Sequence, residues 1–302
     1  MIIKMKKISL LALLALINNL LYSQDENQVE ETTIYNSKGF NIGLNIGAYF
    51  PNKYTANLYD GYGFDIDGNR NTFENSFMYR KIILEYGGGY GQTDFIAQEL
   101  NVAHNEWSFT ESDMPVNMRY NPSFLVGLLG RYSVDKRNAI LINVNASKIN
   151  ISGNFTITTN ISTPINQVPR NIQTFAIRGS EQRLLLQFGY QHLFGENEKF
   201  NFFAEGGLNV SIAKFDKNEI LINNLLIDLA ESYNVAGNPS YVTRRPIGTG
   251  YGAFAGMGLN IGISEGIRVQ IAYSPTLENI NIVKNPKLKI QHSAGLRAYY
   301  NF

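Results

Sequence analysis

The chain has 302 residues, with 18 tyrosines, 18 phenylalanines, 27 glycines and no cysteine, and only 17% of its residues are charged. That length allows one large all-β domain or two ordinary ones, and aromatic and glycine enrichment at low charge favours strands and turns over helices. A formal net charge of +1 gives no electrostatic reason to expect nucleic acid as a partner, and the lack of cysteine excludes disulfides, thiolate nucleophiles and cysteine-ligated metals.

The first residues stand apart. Lys4, Lys6 and Lys7 precede the apolar run ISLLALLALINNLL, and Ser23 precedes Gln24. This pattern predicts a secretory signal peptide over residues 1–23. A membrane anchor is the alternative; it needs about 20 apolar residues, and Asn18 and Asn19 cut the run short. Cleavage removes three lysines and no acid, so 23 basic side chains remain against 25 acidic ones, a net of −2. Residues 24–37 are polar and read as a periplasmic lead.

Strict alternation begins at GFNIGLNIGAYF. Phe40, Ile42, Leu44, Ile46, Ala48 and Phe50 share one face; asparagine, glycine and Tyr49 share the other. Period 2 with unlike faces predicts a strand. The pattern returns in SFLVGLLGRYSV, AILINVNAS, QRLLLQFGYQHLF, KFNFFAEGGLNVSIA, YGAFAGMGLNIGI, IRVQIAYS and LKIQHSAGLRAYYNF, which makes eight strands. Residues 135–138, 195–199 and 264–266 form tight turns. The other connections run 51–117, 157–180, 215–249 and 284–287, and most of them are long. Short turns at one end and long loops at the other predict an all-β fold: an eight-stranded antiparallel up-and-down transmembrane β-barrel over residues 38–302. Facing is least regular in KINISGNFTIT and NIQTFAIRG, where the pattern leaves room for a register-shifting bulge. Outward aromatics gather at strand ends: Phe40, Tyr132, Phe194, Phe200, Phe202, Tyr300 and Phe302 at the short-turn end, Phe50, Phe124, Tyr251 and Tyr273 at the other. Two such belts suit a membrane better than the alternative, a soluble β-sandwich.

The last residues, AGLRAYYNF, resemble the C-terminal recognition signal of bacterial outer-membrane barrels through Tyr300 and Phe302. That resemblance implies the barrel-assembly machinery as a partner during insertion and outer-membrane lipid as surroundings. GFNIGLNIGAYFPNKYTANLYDG and PVNMRYNPSFLVGLLGRYSV resemble the outer-membrane β-barrel domain proteins of Bacteroidetes, of the OmpA-like or PorT-like eight-stranded kind. The resemblance implies fold and bacterial outer-membrane location, and it brings no catalytic motif.

An eight-stranded barrel is just wide enough inside for its own side chains. Arg131, Arg183, Gln187, Glu205, Arg268, Gln270, Lys289 and Arg297 are expected inside, where polar groups are tolerated. A hydrogen-bonded plug in which Glu205 pairs arginine is expected, with the glycines of residues 252–262 leaving room. An ion path or a binding pocket is the alternative. Bases outnumber acids in this set, so the plug should recruit loop carboxylates, water or an anion. In the third long loop, Leu221, Ile222, Leu225, Leu226 and Leu229 fall at helical spacing. Their apolar face should pack on the first loop or meet a partner protein. GGGYGQ lacks the Lys-Ser/Thr ending of a phosphate loop and reads as a turn. His104, His192 and His292 are not spaced as metal ligands. No catalytic residue, cofactor or metal is expected. The expected role is a non-enzymatic barrel whose loops 51–117 and 215–249 bind a partner or ligand; a narrow channel and a lipid-modifying enzyme are the alternatives.

Overall fold

Strands that are apolar on one face and polar on the other satisfy all their backbone groups when the sheet closes on itself. The computed structural model describes residues 39–301 except 66–68, 161–169, 196, 198, 230–231, 235–240, 244–246, 265 and 282–286. The expected signal peptide, the polar lead and Phe302 lie outside the described residues. Eight long strands form the ring: β1 (Gly39–Phe50), β2 (Ser123–Ser133), β3 (Asn138–Asn160), β4 (Arg170–Phe194), β5 (Phe200–Ile222), β6 (Ile247–Gly262), β7 (Ile267–Asn281) and β8 (Lys289–Asn301). Each pairs antiparallel with its neighbours in sequence, and β1 pairs with β8 to close the barrel.

The register sets the shape. Stepping between partners from Asn41 through Arg131, Leu141, Gly189, Gly207, Phe254 and Thr276 reaches Gln291, next to the His292 that pairs with Phe50, so the ring closes on β1 ten residues further on. A shear of ten over eight strands tilts them by about 40°. The outward run Phe40–Phe50 then climbs about 25 Å, the height of a lipid-facing band. Outward Leu44 is 58% exposed and inward Asn45 is 7% exposed, so the apolar side chains face out and the polar ones in. Pro275 has no N–H to give the ladder; the β6–β7 ladder is interrupted at that position, between Phe254–Thr276 and Met257–Tyr273.

Three strands outrun the others. β3, β4 and β5 have 23, 25 and 23 residues, while β1 and β2 have 12 and 11. Two sequence expectations are corrected here. The expected loop 157–180 is strand at both ends: β3 runs to Asn160 and β4 starts at Arg170, while 161–169 lie outside the described residues. Facing does not shift within either strand. Odd-numbered residues stay inside, but the chemistry inverts, so that Ile149, Ile151, Phe155, Ile157, Phe175 and Ile177 are apolar and buried. The bulge falls instead on β5, where Asp216 is the extra residue between Phe215, opposite Glu181, and Lys217, opposite Ser180. The second correction concerns Leu221, Ile222, Leu225, Leu226 and Leu229, which are not helical. β5 continues to Ile222, turns at Asn223–Asn224, and the chain returns as Leu225–Asp228 paired to the end of β5. Asn223 has a left-handed φ of 50°, which asparagine tolerates in a hairpin turn. Burial follows the strand period instead, with Ile220 and Ile222 on one arm and Ile227 and Leu229 on the other buried, because the open edge of a long strand favours pairing.

Loop 51–117 is folded. Asn52, Ser76 and Asp94 side chains accept backbone N–H groups at the starts of its helical turns. Helix Phe95–Leu100 ends at left-handed Asn101. The loop lies on the inner face of the extended strands and closes a core with them. Tyr59, Met78, Ile82, Ile96 and Leu100 come from the loop. Phe155, Ile177, Ile220, Ile222, Ile227 and Leu229 come from the strands and the hairpin.

Candidate functional site

The barrel axis is crossed by two hydrogen-bonded layers. The one nearer the short turns is centred on Glu205 of β5. Arg297 of β8 donates to both its oxygens, each at 2.8 Å, and also to Ser274 Oγ at 3.0 Å. Gln191 Nε2 donates to Glu205 Oε2 at 3.1 Å, and Gln270 links Gln191 to Asn260. A bidentate arginine–carboxylate pair of this kind is the strong form of the interaction. Gly256 makes it possible, since a Cβ there would stand 2.6 Å from Glu205 Oε1. Arg131 is buried beside this layer with its guanidinium 5.9 Å from the centre of the Tyr299 ring. Gln187 accepts from Asn143, and Arg268 is also buried. Lys289 is different. It is half-buried at the loop end, 5.2 Å from the Tyr54 ring centre.

The second layer lies where lumen gives way to cap, around Arg183 of β4. Arg183 Nε donates to Glu181 Oε1, Nη1 to Tyr49 OH at 3.0 Å, and Nη2 to Thr55 Oγ1 at 3.0 Å and Tyr120 OH at 3.2 Å. Tyr59 donates to Glu181 Oε2 at 2.9 Å, and Tyr49 to Glu278 Oε1 at 3.3 Å. Asn209 Nδ2 reaches Glu278 Oε2 at 2.8 Å. Burial first, and then the Glu181 charge, push the Tyr59 and Tyr120 phenols upward. Both therefore stay protonated and act as neutral donors. Thr55 and Tyr59 belong to loop 51–117, so this layer binds the cap to the barrel mouth. Tyr59 lies flat against Gly179 of β4, where a Cβ would stand 2.3 Å from its ring, and stacks on Phe215 at 4.5 Å.

Of the expected interior residues, the structure brings Glu205, Arg297, Gln270, Gln187, Arg131 and Arg268 into the lumen. Arg183 belongs to the mouth, and Lys289 lies at the rim. Sequence reasoning did not single out Glu181, Glu278, Tyr49, Tyr59, Thr55 or Tyr120. Glu181 lies at the edge of the expected loop 157–180, and Glu278 lies past Pro275, beyond the alternating stretch IRVQIAYS. In the hairpin, Ile222 and Leu229 are buried, Leu221 and Leu225 half-buried, and Leu226 is 58% exposed. Tyr300 faces outward and pairs with Ile42 and Ile267.

Inside the cap, Asp60 accepts the Tyr62 N–H at 3.1 Å and Arg70 Nη2 at 2.6 Å. Burial nonetheless outweighs these partners and lifts its carboxyl to about 6. The glycine run GGGYGQ is a turn, closed by Gly91 N–H on the Gly88 carbonyl at 2.9 Å. The three histidines lie apart. His104 meets Asp94 at 2.7 Å, His192 meets Asn138 at 2.7 Å and His292 meets Tyr273 at 2.8 Å. Among the described residues no group of three or more His, Cys, Asp or Glu could hold a metal ion.

Ring, layers and cap together define a class: an eight-stranded β-barrel with a side-chain-filled lumen and a folded lid of its own loops. No family model and no curated protein sequence matches the chain. Solved structures similar to it include Neisserial surface protein A, at 8% identity over 89% of this chain and 100% of that one, TM-score 0.37. The outer membrane protein OprG from Pseudomonas aeruginosa is similar at 10% identity over 89% and 99%, TM-score 0.38. The attachment invasion locus protein Ail of Yersinia pestis is similar at 10% identity over 88% and 99%, with TM-scores of 0.35 and 0.32 in two structures. Likenesses this loose carry no functional information, and the eight-stranded ring rests on the chain's own strand pairing.

Proposed function

We propose that the protein is a non-conducting, non-enzymatic barrel of the bacterial outer membrane that presents its cap to a partner protein or ligand. It is exported by the predicted signal peptide and inserted with the help of the C-terminal signal that includes Tyr300 and Phe302. The apolar outer band and its two aromatic belts support the membrane. The sequence resemblance to the Bacteroidetes barrels supports the compartment.

One observation carries the display role: loop 51–117 is built as a folded body. It shares an apolar core with the extensions of β3–β5 and is tied to the mouth through Arg183. A pore would have no use for such a core, whereas a rigid surface held above the membrane gives a partner a pre-organised face. The same layer, with the Glu205 layer beneath it, stands across the path that the narrow-channel alternative needs.

The test pairs two measurements on protein whose folding is first established by heat-dependent gel mobility in detergent. In planar bilayers the expected result is no unitary conductance. In native membranes, a photo-crosslinker placed at exposed Tyr90 or Val116 of the cap should capture one recurring protein or ligand. Steady conductance, or a cap that is consistently found alone, would end this reading.

A further inference from the structure

A second feature lies on the outside of the barrel, away from lumen and cap. Along β3, β4 and β5 the outward face changes from apolar to polar between two adjacent rows. Ala146, Leu184 and Ile212 pair across the three strands and end the apolar side. Lys148, Gln182 and Lys214 pair in the same manner one row nearer the loops. A groove of about 550 Å³ runs along this boundary. Its floor is the apolar row with Phe124 and Val126 of β2, and its upper rim is the two lysines and the glutamine. Ala146 is the small residue among large ones, and the trough forms over it.

The charges at the rim are specific. Lys148 Nζ is 3.3 Å from Asp216 Oδ2, and that carboxylate also accepts from Ser180 Oγ at 2.9 Å. Lys214 makes no ion pair among the described residues. Two ammonium groups therefore face one carboxylate, and the rim keeps a positive charge beside an apolar trough. A neutral lipid would gain nothing from that charge, and a zwitterionic one would gain less, because its own cation offsets its phosphate. An anionic headgroup would gain on the order of tenfold in affinity from lysines at a membrane surface. The side chain of Gln182, between the lysines, adds an uncharged amide donor for phosphate oxygen.

We propose that this groove is a binding site for an anionic, phosphate-bearing lipid. One acyl chain lies over Ala146 between Phe124 and Ile212, and the phosphate sits between Lys148 and Lys214. The site is continuous with the band that reads as lipid-facing, so the proposal rests on the membrane location inferred above. It adds to that reading a preferred lipid and a place for it.

The test is native mass spectrometry of the full, detergent-folded chain with phosphatidylglycerol and phosphatidylcholine of identical acyl chains. The parent should retain phosphatidylglycerol about tenfold better. K148Q/K214Q should lose that preference, while K53Q, in the cap, should keep it. A146W fills the trough from a lipid-facing position and should reduce retention of both lipids. Heat-dependent gel mobility checks that each variant is folded. Equal retention of the two lipids by the parent, or an undiminished preference in K148Q/K214Q, overturns the site. So does a dimer in place of lipid adducts, which would mean that a second copy covers the groove. A folded barrel without the preference removes the lipid site and leaves the membrane reading intact. A chain that stays monomeric and compact without detergent removes the membrane reading instead.

Discussion

Replacing Glu205 by glutamine tests the lumen layer with almost no change of shape. The carboxylate is fully buried, and its partner Arg297 is 5% exposed at the side chain. Glutamine can accept at one position only, so Arg297 loses one of two charge-assisted bonds and all of its charge compensation. The amide oxygen can still accept from Gln191 at the Oε2 position, but the amide nitrogen then faces Arg297 Nη2, donor against donor. Breaking a buried pair while leaving the other charge in place costs about 3–5 kcal/mol. E205Q should therefore lower the unfolding free energy of the detergent-folded barrel by about 3 kcal/mol. Urea titration followed by circular dichroism reads this as a fall in the midpoint at constant slope. The cycle is completed by E205M/R297M, which removes both charges and keeps their volume. Replacing both members of a buried pair is often neutral or better, so the double variant should recover most of the loss. If E205Q lies within about 1 kcal/mol of the parent, or if the double variant is worse than the single, the pair does not organise the lumen and the plug argument fails.

Other outcomes follow from the cap and its joint with the barrel. Ile82→Ala removes a fully buried side chain from the cap core and should destabilise the cap by about 2–5 kcal/mol; limited proteolysis should then cut within 51–117 while the barrel keeps its heat-dependent gel mobility. Asp60 supplies a pH dependence. Its carboxyl is held near 6 when folded against an ordinary 3.8, so the folded cap binds the extra proton between those values. Cap stability is highest below about pH 4, falls by up to about 3 kcal/mol as pH rises to 6, and is level above that. Hydrogen exchange of cap amides at pH 4.5 and 7 measures the change, and D60N should abolish it. Gly256→Val places side-chain carbon against Glu205 and Ser274 and should reduce the yield of heat-modifiable barrel more than Gly266→Val, where the nearest atom to a Cβ is a Tyr300 ring carbon at 3.4 Å. Arg183→Ala frees Glu181 and Glu278 from their cation at the mouth; protease access to loop 51–117 should rise, and unchanged access would show that the apolar core alone holds the cap.

How far the sequence could be read depended on what each strand faces. Where a strand separates an apolar outer band from a polar lumen, the two faces differ everywhere, and alternation in GFNIGLNIGAYF or QRLLLQFGYQHLF reports both strand and facing. The eight strands and most of the lumen residues were legible for that reason. Beyond the mouth, the same strands pass from apolar side chains outside and polar groups inside to polar side chains outside and an apolar cap inside. The facing of β3 continues unbroken from Asn143, Asn145 and Ser147 to Ile149 and Ile151, but the polarity of the inward residues reverses. A pattern that tracks polarity registers this as a bulge or a loop, and so 157–180 looked unstructured. The hairpin at Asn223–Asn224 was hidden differently: Leu221, Ile222, Leu225, Leu226 and Leu229 fall at helical spacing, and only pairing at the free end of β5 sets the strand period that buries Ile222, Ile227 and Leu229.

The same reversal explains why the mouth escaped sequence reasoning. Arg183, Glu181 and Glu278 lie where the inner face changes from polar to apolar, so they close the lumen and also form the polar floor of the cap. Buried charges at such a boundary need partners from both sides. Tyr49 and Glu278 come from the barrel wall, and Thr55, Tyr59 and Tyr120 come from outside it. No single stretch of sequence holds this set; β1, the first loop, β4 and β7 each contribute. A cap that merely covered the barrel would not need to complete the coordination of a wall arginine. Because it does, releasing the cap would strip Arg183 of partners at the same moment as it opened the apolar core, and the cap should come away as a unit or stay in place.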